Sequence, residues 1–223
     1  DVCFRHDSSY MYCDSAYFYE QTNSLEAFSN VRMEQGDTLF VYGNYLHYDG
    51  NTQMARLREN VRMENRPDSV TLFTDSLNYD RVANIGYYFN GGLIVDMENE
   101  LSSFYGQYAP STKMTVFNDS VRLVNPKFTL YSDTLQYNTE SKIATILGPS
   151  TIVSDSGTVY TSRGWYNTVE NTSLLLDRSK VVSGSKILIG DSISYNRGLS
   201  YGEAFGNVFL QDTTQKVMLL GNY

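Results

Sequence analysis

The sequence is poor in the residues on which several classes of protein depend. Its 223 residues include only two cysteines, Cys3 and Cys13, which are too few for a disulfide framework. The sequence neither supports nor excludes a disulfide bridge between these two residues. No apolar run approaches the roughly 20 residues of a membrane-spanning helix, and no signal peptide is present. Lys and Arg number 17 against 25 Asp and Glu, a formal net charge of −8 that argues against nucleic acid as a partner.

Candidate catalytic and metal-binding residues are equally scarce. The two histidines, His6 and His47, have no cysteine or carboxylate at ligand spacing, so no zinc site is expected, and His47 is predicted to point outward from a strand. Ser-His-Asp catalysis needs a nucleophile on a sharp turn beside a positioned base, and we expect no such arrangement here. One position of a repeat is occupied by Asp75, Asp133 and Asp191. Catalysis by paired carboxyl groups needs unlike environments that drive their pKa values apart, and equivalent repeat positions do not provide them. An Asp before Ser or Thr favours a turn instead. We therefore predict no enzymatic activity, no metal and no cofactor.

Aromatic residues are abundant by contrast. Nineteen Tyr, eleven Phe and one Trp make up 14% of the chain, and such side chains suit the pleated, half-buried surface of a sheet. No segment has a sustained apolar pattern of helical period. Turn residues punctuate the chain, for example at Gln35–Gly36–Asp37 and at Asn125–Pro126. These features predict an all-β protein.

A repeat of about 30 residues organises these aromatics into a stack of about two short strands per repeat. Five stretches align without gaps: Ser9–Phe18, Leu39–Tyr48, Val70–Tyr79, Phe128–Tyr137 and Lys186–Tyr195. Both chain ends fall inside a repeat, because Gly221–Tyr223 copies Gly43–Tyr45 and Val2 takes the place of Val31. We expect residues 1–223 to form one repetitive domain of about seven repeats, cut from a longer protein.

The aligned repeats contain columns of similar residues, and residues two apart share one face of a strand. One aliphatic column holds Leu46, Leu77, Leu135 and Ile193, and an aromatic column two residues later holds Phe18, Tyr48, Tyr79, Tyr137 and Tyr195. A valine column in the other half of the repeat holds Val61, Val121 and Val208. We predict that these three columns face the interior. A second aromatic column holds Tyr12, Tyr42, Phe73 and Tyr131.

With the repeats aligned, the sequence resembles the OstA/LptA family of lipopolysaccharide-transport proteins. The resemblance rests on a small or apolar residue before an Asn-Val pair, as in Ala27–Val31, Ala55–Val61 and Ala204–Val208. It also rests on the Leu-x-Tyr pairs of Leu77–Tyr79 and Leu135–Tyr137, and it covers essentially the whole chain.

The resemblance implies an elongated, twisted, slotted antiparallel β-jellyroll whose strands stack into a V-shaped trough. It implies a non-enzymatic carrier in the periplasm of a Gram-negative bacterium, which holds acyl chains in the trough and passes lipid toward the outer membrane. The implied partners are lipopolysaccharide or a related lipid, outer-membrane assembly components, and itself or other OstA-like domains paired strand to strand at their ends. The three interior columns would then line the trough. A site for acyl chains would be expected to be aliphatic, whereas these columns contain aromatic residues and the chain is acidic. The identity of the ligand therefore stays undetermined at this point.

Two other functions fit parts of the pattern. A structural or adhesive cell-surface β-repeat protein without a lipid ligand would use the same columns as a closed core. A carbohydrate-active β-helix enzyme would need carboxylates that break the repeat, and the sequence offers no convincing set.

Asp-Ser or Asp-Thr followed by an apolar residue resembles the acceptor triplet of a periplasmic O-glycosylation system. The corresponding hydroxyl residues are Ser15, Ser76, Thr134 and Ser192. Turns before apolar strands generate the same triplet.

Overall fold

A computed structural model describes residues 2–6, 9–67, 69–96, 98–109, 111–196, 198–199 and 201–223, with the backbone alone at His6. Within these ranges the regular secondary structure is all strand, and the strands pair antiparallel, which confirms the predicted all-β antiparallel class. Among the same residues no helix has the length and apolar character to cross a membrane. The chain divides into two compact units, Asp1–Ser111 and Thr112–Tyr223, and the single-domain expectation stays a prediction.

The first unit contains four long strands flanked by short ones. Its strands are β1 (Val2–His6), β2 (Ser9–Cys13), β3 (Ser15–Tyr19), β4 (Ser24–Gln35), β5 (Leu39–Asp49), β6 (Met54–Asn65), β7 (Val70–Asp80), β8 (Ile85–Tyr88), β9 (Gly92–Asp96), β10 (Asn99–Ser103) and β11 (Tyr105–Ala109). The predicted turn at Gln35–Gly36–Asp37 lies where β4 gives way to β5.

Each long strand of the first unit is interrupted near its middle, at a position that we call the corner. The register shifts between Phe28 and Val31 of β4, and again between Arg58 and Val61 of β6. Two consecutive residues have positive φ at each such site, and Asn adopts this conformation more easily than most residues. Because a bulge bends its strand, each long strand contributes one segment to each of two layers.

The two layers of the first unit are defined by pairing. Layer A consists of β3, Ser24–Phe28, Tyr45–Asp49, Met54–Arg58, Ser76–Asp80, β8 and β11, and layer B of β1, β2, Val31–Gln35, Leu39–Tyr42, Val61–Asn65, Val70–Thr74, β9 and β10. A repeat therefore supplies four strand segments where the sequence predicted two.

The aspartate column lies at the corner. The predicted turn was wrong for Asp75 and Asp133, which lie inside long strands, whereas Asp191 lies at a bend between two strands. Asp75 lies inside β7, where its Oδ1 accepts a hydrogen bond of 3.2 Å from the backbone N–H of Asn60. Asp14 accepts a 2.8 Å hydrogen bond from the side-chain amide of Asn30. Both asparagines have positive φ, so these aspartates hold the left-handed corner residues of a neighbouring strand.

The core of the first unit lies at the corner, between the two layers. Leu46 and Leu57 from layer A and Val31 and Val61 from layer B are each at most 2% exposed. These residues belong to one apolar cluster, which also contains Ala27 at 0% exposure. Burying a leucine or valine side chain contributes about 1.5–3 kcal/mol, so the corner is the main source of packing energy.

The two cysteines lie on opposite faces of the β1–β2 pair. Cys13 pairs with Val2, whereas Cys3 pairs with Tyr12, one residue out of step. Because side chains alternate between faces, Cys13 is buried and Cys3 is exposed. Both are free thiols, which answers the open question of a bridge between them.

The second unit has two long strands followed by short ones. Its strands are β12 (Met114–Asn125), β13 (Phe128–Asn138), β14 (Ile143–Ile146), β15 (Ser150–Ser154), β16 (Gly157–Thr161), β17 (Arg163–Asn167), β18 (Thr172–Leu176), β19 (Ser179–Ser183), β20 (Lys186–Gly190), β21 (Ser192–Asn196), β22 (Tyr201–Phe205), β23 (Val208–Asp212) and β24 (Val217–Gly221). Layer A of this unit is Met114–Asn118, Thr134–Asn138, β14, β17, β18, β21 and β22, and layer B is Val121–Asn125, Phe128–Ser132, β15, β16, β19, β20, β23 and β24.

Buried hydroxyl groups line the corner of the second unit. Ser150 donates a 2.7 Å hydrogen bond to the Oγ of Ser132, which in turn donates to the carbonyl of Thr134 at 3.0 Å. Ser179 donates to the Oγ1 of Thr161 at 2.8 Å. Thr161 in turn donates to the carbonyl of Arg163 at 3.0 Å, so a hydroxyl provides the partner of a carbonyl at the break between β16 and β17.

Candidate functional site

The inner faces of the two layers carry apolar columns that begin at the corner. In layer A, the column beside the corner holds Ala27, Leu46, Leu57, Leu77 and Tyr88 in the first unit and Phe117, Leu135, Ile146, Leu175 and Ile193 in the second. The rim column, two residues farther out, includes Phe18, Leu25, Tyr48, Ala55 and Tyr79 in the first unit and Tyr137, Ala144, Tyr166 and Tyr195 in the second. The inner column of layer B holds Met11, Met33, Val41, Met63, Leu72, Ile94 and Leu101, and then Leu123, Leu130, Ile152, Val159, Val181, Leu188 and Leu210.

The predicted interior residues occupy these columns at different depths. Beside the corner, the exposed fractions are 1% for Leu46 and Leu135, 2% for Val61 and Val121, 4% for Ile193 and 5% for Leu77, whereas Val208 is half-buried. In the rim column Tyr48 and Tyr137 are half-buried, and Tyr79, Tyr195 and Phe18 are exposed. Burial therefore decreases from the corner to the rim within each unit, and a ligand-binding role for these residues stays a prediction.

The columns named above carry no charged side chain. Lys186 and Asp212 pair at the edge of the inner face, each two residues from the inward Leu188 or Leu210, and other charges lie on the outer face. Glu26, His47 and Arg56 pair side by side on the outside of layer A. The Nδ1 of His47 lies 3.3 Å from an Arg56 guanidinium nitrogen, in agreement with the predicted outward position. Charged groups avoid an apolar interior because desolvation is costly, so the separation of the two faces is a consequence of burial.

Tyrosines of the rim column are held by the hairpin turns. Tyr79 donates a 2.6 Å hydrogen bond to the Oδ1 of Asn84, and Tyr166 donates one of 2.9 Å to the Oδ1 of Asn171. These bonds satisfy the polar ends of the rings at the turns. The carbon atoms of the rings remain available to the inner face.

The second aromatic column lies on the outer face of layer B. Tyr12 and Tyr42 neighbour inward residues in sequence and therefore point outward. The guanidinium of Arg32 lies 4.6 Å from the ring centroid of Tyr12, and that of Arg62 lies 4.4 Å from Tyr42. Only one of the two aromatic columns thus belongs to the interior.

Tyr88 fills the corner of the first unit with an aromatic ring, in a column whose other members there are Ala27, Leu46, Leu57 and Leu77. A Cβ atom on Gly92 would lie 2.5 Å from its Cε2, and one on Gly106 would overlap its Cε1 and Cζ. Its hydroxyl lies 2.6 Å from the Oγ of Ser103. Burial raises the pKa of Tyr88, which keeps the phenol neutral. Sequence reasoning missed this packing, although Gly106 at the position of a leucine column was a visible signal.

Layer B is more open in the second unit than in the first. In the first unit Met11, Val41, Leu72 and Leu101 of its inner column are buried. In the second unit Leu130 alone among the column residues named above is buried. The others, which share one inner face, are half-buried: Leu123, Ile152, Val159, Val181, Leu188 and Leu210. We call these six residues the aliphatic strip. Leu130 lies between Leu123 and Ile152.

The candidate glycosylation residues differ in accessibility. Ser15 is exposed, whereas Thr134 and Ser192 are half-buried. Ser76 is 4% exposed, and its hydroxyl donates to the carbonyl of Phe89. A glycan on Ser76 is therefore incompatible with the folded chain, and modification of the other three residues stays a prediction.

Comparison with known proteins identifies the family. A sequence model described as OstA-like protein matches residues 1–133, more than half of the chain. The chain belongs to the OstA-like family. No curated protein matches the sequence of this OstA-like chain.

The OstA-like chain is also similar to the crystal structure of LptH from Pseudomonas aeruginosa, described as the LptA-homologous periplasmic component of the lipopolysaccharide transport device. That similarity has 14% sequence identity and a TM-score of 0.45, over 55% of this chain and 93% of LptH. In the part of the OstA-like chain that the structure describes, no group of three or more His, Cys, Asp or Glu residues could hold a metal ion.

Proposed function

We propose that this OstA-like chain is a non-enzymatic periplasmic carrier of lipopolysaccharide or a related lipid. Acyl chains lie along the inner face of the second unit, and the lipid passes on toward the outer membrane. Family membership supports the class of function. The aliphatic strip supports the site, because its six aliphatic residues stay half-exposed on the same inner face.

The energetics of acyl binding agree with this site. Each methylene transferred from water contributes about 0.8 kcal/mol, so ten methylenes contribute about 8 kcal/mol without any polar contact. Val159 and Val181 lie opposite each other on adjacent strands of the strip, with Ile152 beside them. Branched side chains on adjacent strands present a smooth surface on which extended chains can lie.

Site-directed cross-linking tests the proposal. Val159 faces inward, and its neighbour Thr158 on β16 faces outward, so Val159→Cys and Thr158→Cys form a matched pair in a Cys3→Ser background. Each thiol is labelled with a maleimide benzophenone and irradiated with purified lipopolysaccharide. We expect at least tenfold more cross-linked lipid at position 159 than at position 158.

Equal cross-linking at both positions would show that the inner face has no special affinity for lipid. No cross-linking at either position, with the native fold retained, would favour the ligand-free structural protein. Val159→Asp and Thr158→Asp supply an independent measurement, because only the inward charge should abolish the lipid that copurifies with the protein.

A further inference from the structure

A groove of about 700 Å³ crosses the outer face of layer B in the second unit. Five of its residues stand side by side on neighbouring strands, in the order Arg122, Tyr131, Thr151, Tyr160 and Lys180. They occupy β12, β13, β15, β16 and β19. The groove faces away from the aliphatic strip and is independent of the proposed lipid site.

Two tyrosine rings form the walls of this groove. Tyr131 and Tyr160 are each 46% exposed and are separated by a single strand. Since adjacent strands lie about 4.8 Å apart, the two backbones are roughly 9.6 Å apart. Side chains stand nearly perpendicular to a sheet, so a space one saturated six-membered ring thick remains between the tyrosines. Thr151 forms its floor and offers a hydroxyl.

Cations flank both walls. The Nζ of Lys180 lies 5.8 Å from the ring centroid of Tyr160, and Arg122 pairs beside Tyr131. Of the three other charged residues of the groove, two are already compensated, since Asp177 is 3.0 Å from Arg163 and Arg178 is 3.4 Å from Asp191. The third is Asp133, whose single negative charge is outnumbered by Arg122 and Lys180. Among the described residues, neither Arg122 nor Lys180 forms an ion pair, so both are available to an anionic group.

A groove of about 690 Å³ occupies the corresponding place in the first unit, but a different residue separates its two tyrosines. There the register reads Tyr12, Arg32, Tyr42, so an arginine occupies the position of Thr151. Arg32 covers the Tyr12 ring and forms an ion pair of 2.9 Å with Glu34. The guanidinium therefore lies against one of the two tyrosines, and its charge is already paired.

We propose that the cleft between Tyr131 and Tyr160 binds a pyranose that carries a carboxylate or phosphate group. The apolar faces of the sugar ring stack on the two tyrosines, as carbon–hydrogen faces do on aromatic rings. Thr151 hydrogen-bonds a ring substituent, and Arg122 or Lys180 pairs with the anionic group.

Thr151→Arg places an arginine between the two tyrosines, as in the first unit, and is the central test. Saturation-transfer NMR and calorimetry of the full chain would use glucose 1-phosphate and glucuronate as probes, with glucose and inorganic phosphate for comparison. We expect both anionic sugars to bind more tightly than glucose, and Thr151→Arg to weaken them at least tenfold. Arg122→Gln with Lys180→Gln should reduce the anionic sugars to the affinity of glucose.

Arg62→Gln, on the outer face of the first unit, is the matched control and should change nothing. Unchanged sugar binding by Thr151→Arg would overturn the proposal. Inorganic phosphate binding as tightly as glucose 1-phosphate would also overturn it, because the site would then recognise an anion without a sugar. Thermal melting verifies that each variant is folded, and the Arg122 and Lys180 variant keeps the test decisive if Thr151→Arg fails to fold.

Discussion

The packing of Tyr88 between two glycines makes a sharp prediction about stability. Gly106→Ala introduces a Cβ that overlaps the Tyr88 ring, which is 2% exposed. Normal carbon–carbon contacts are about 3.5–4.0 Å, so the ring would have to move by more than 1 Å. Gly92 lies against another edge of the ring and opposes that movement. Overpacking of this kind costs about 1–3 kcal/mol, and we expect about 2 kcal/mol.

Urea denaturation followed by far-ultraviolet circular dichroism measures this loss. Gly86→Ala is the matched control, because a Cβ there would lie 3.8 Å from its nearest neighbour, an ordinary contact. We expect Gly86→Ala to change stability by less than about 0.5 kcal/mol. Combining Gly106→Ala with Tyr88→Leu should recover at least about 1 kcal/mol as a coupling energy. Equal stability of the two alanine variants, or no coupling to Tyr88, would refute the packing argument.

Three further predictions concern other parts of the molecule. Leu135→Ala should destabilise by about 3 kcal/mol, because this side chain is 1% exposed, whereas Leu147→Ala at 45% exposure should stay within about 0.5 kcal/mol in the same denaturation assay. Burial, together with a hydrogen bond donated to a carboxylate, raises the pKa of Tyr45 to about 12. The folded state then holds this proton more tightly than the unfolded state, so stability is present below pH 10 and is lost as the pH rises toward 12; Tyr45→Phe should show less of that loss. Cys3 should react with a thiol reagent in the native protein and Cys13 only on unfolding, and equal native rates would contradict their opposite faces.

The repeat made much of the inner face predictable. Residues two apart must share one side of a strand, so the leucine and valine columns could be assigned together, and the structure places Leu46, Leu135 and Val121 at the corner. The OstA-like resemblance was also readable from the repeats and is confirmed by the family match. The aspartate column was visible but partly misinterpreted, because a turn and a corner both need residues that hold an unusual backbone.

The periodic pattern alone determined an antiparallel β protein with an apolar face, because alternation is a local property of the strand. Tertiary structure decided the depth of each column, since exposure depends on what the other layer covers. It also decided that Tyr12 and Tyr42 point outward beneath arginines, and that Tyr88 occupies the space left by two glycines. The sequence contains the arginine of the first unit, Arg32, and the threonine of the second, Thr151. Only the strand register shows that each of them lies between two tyrosines.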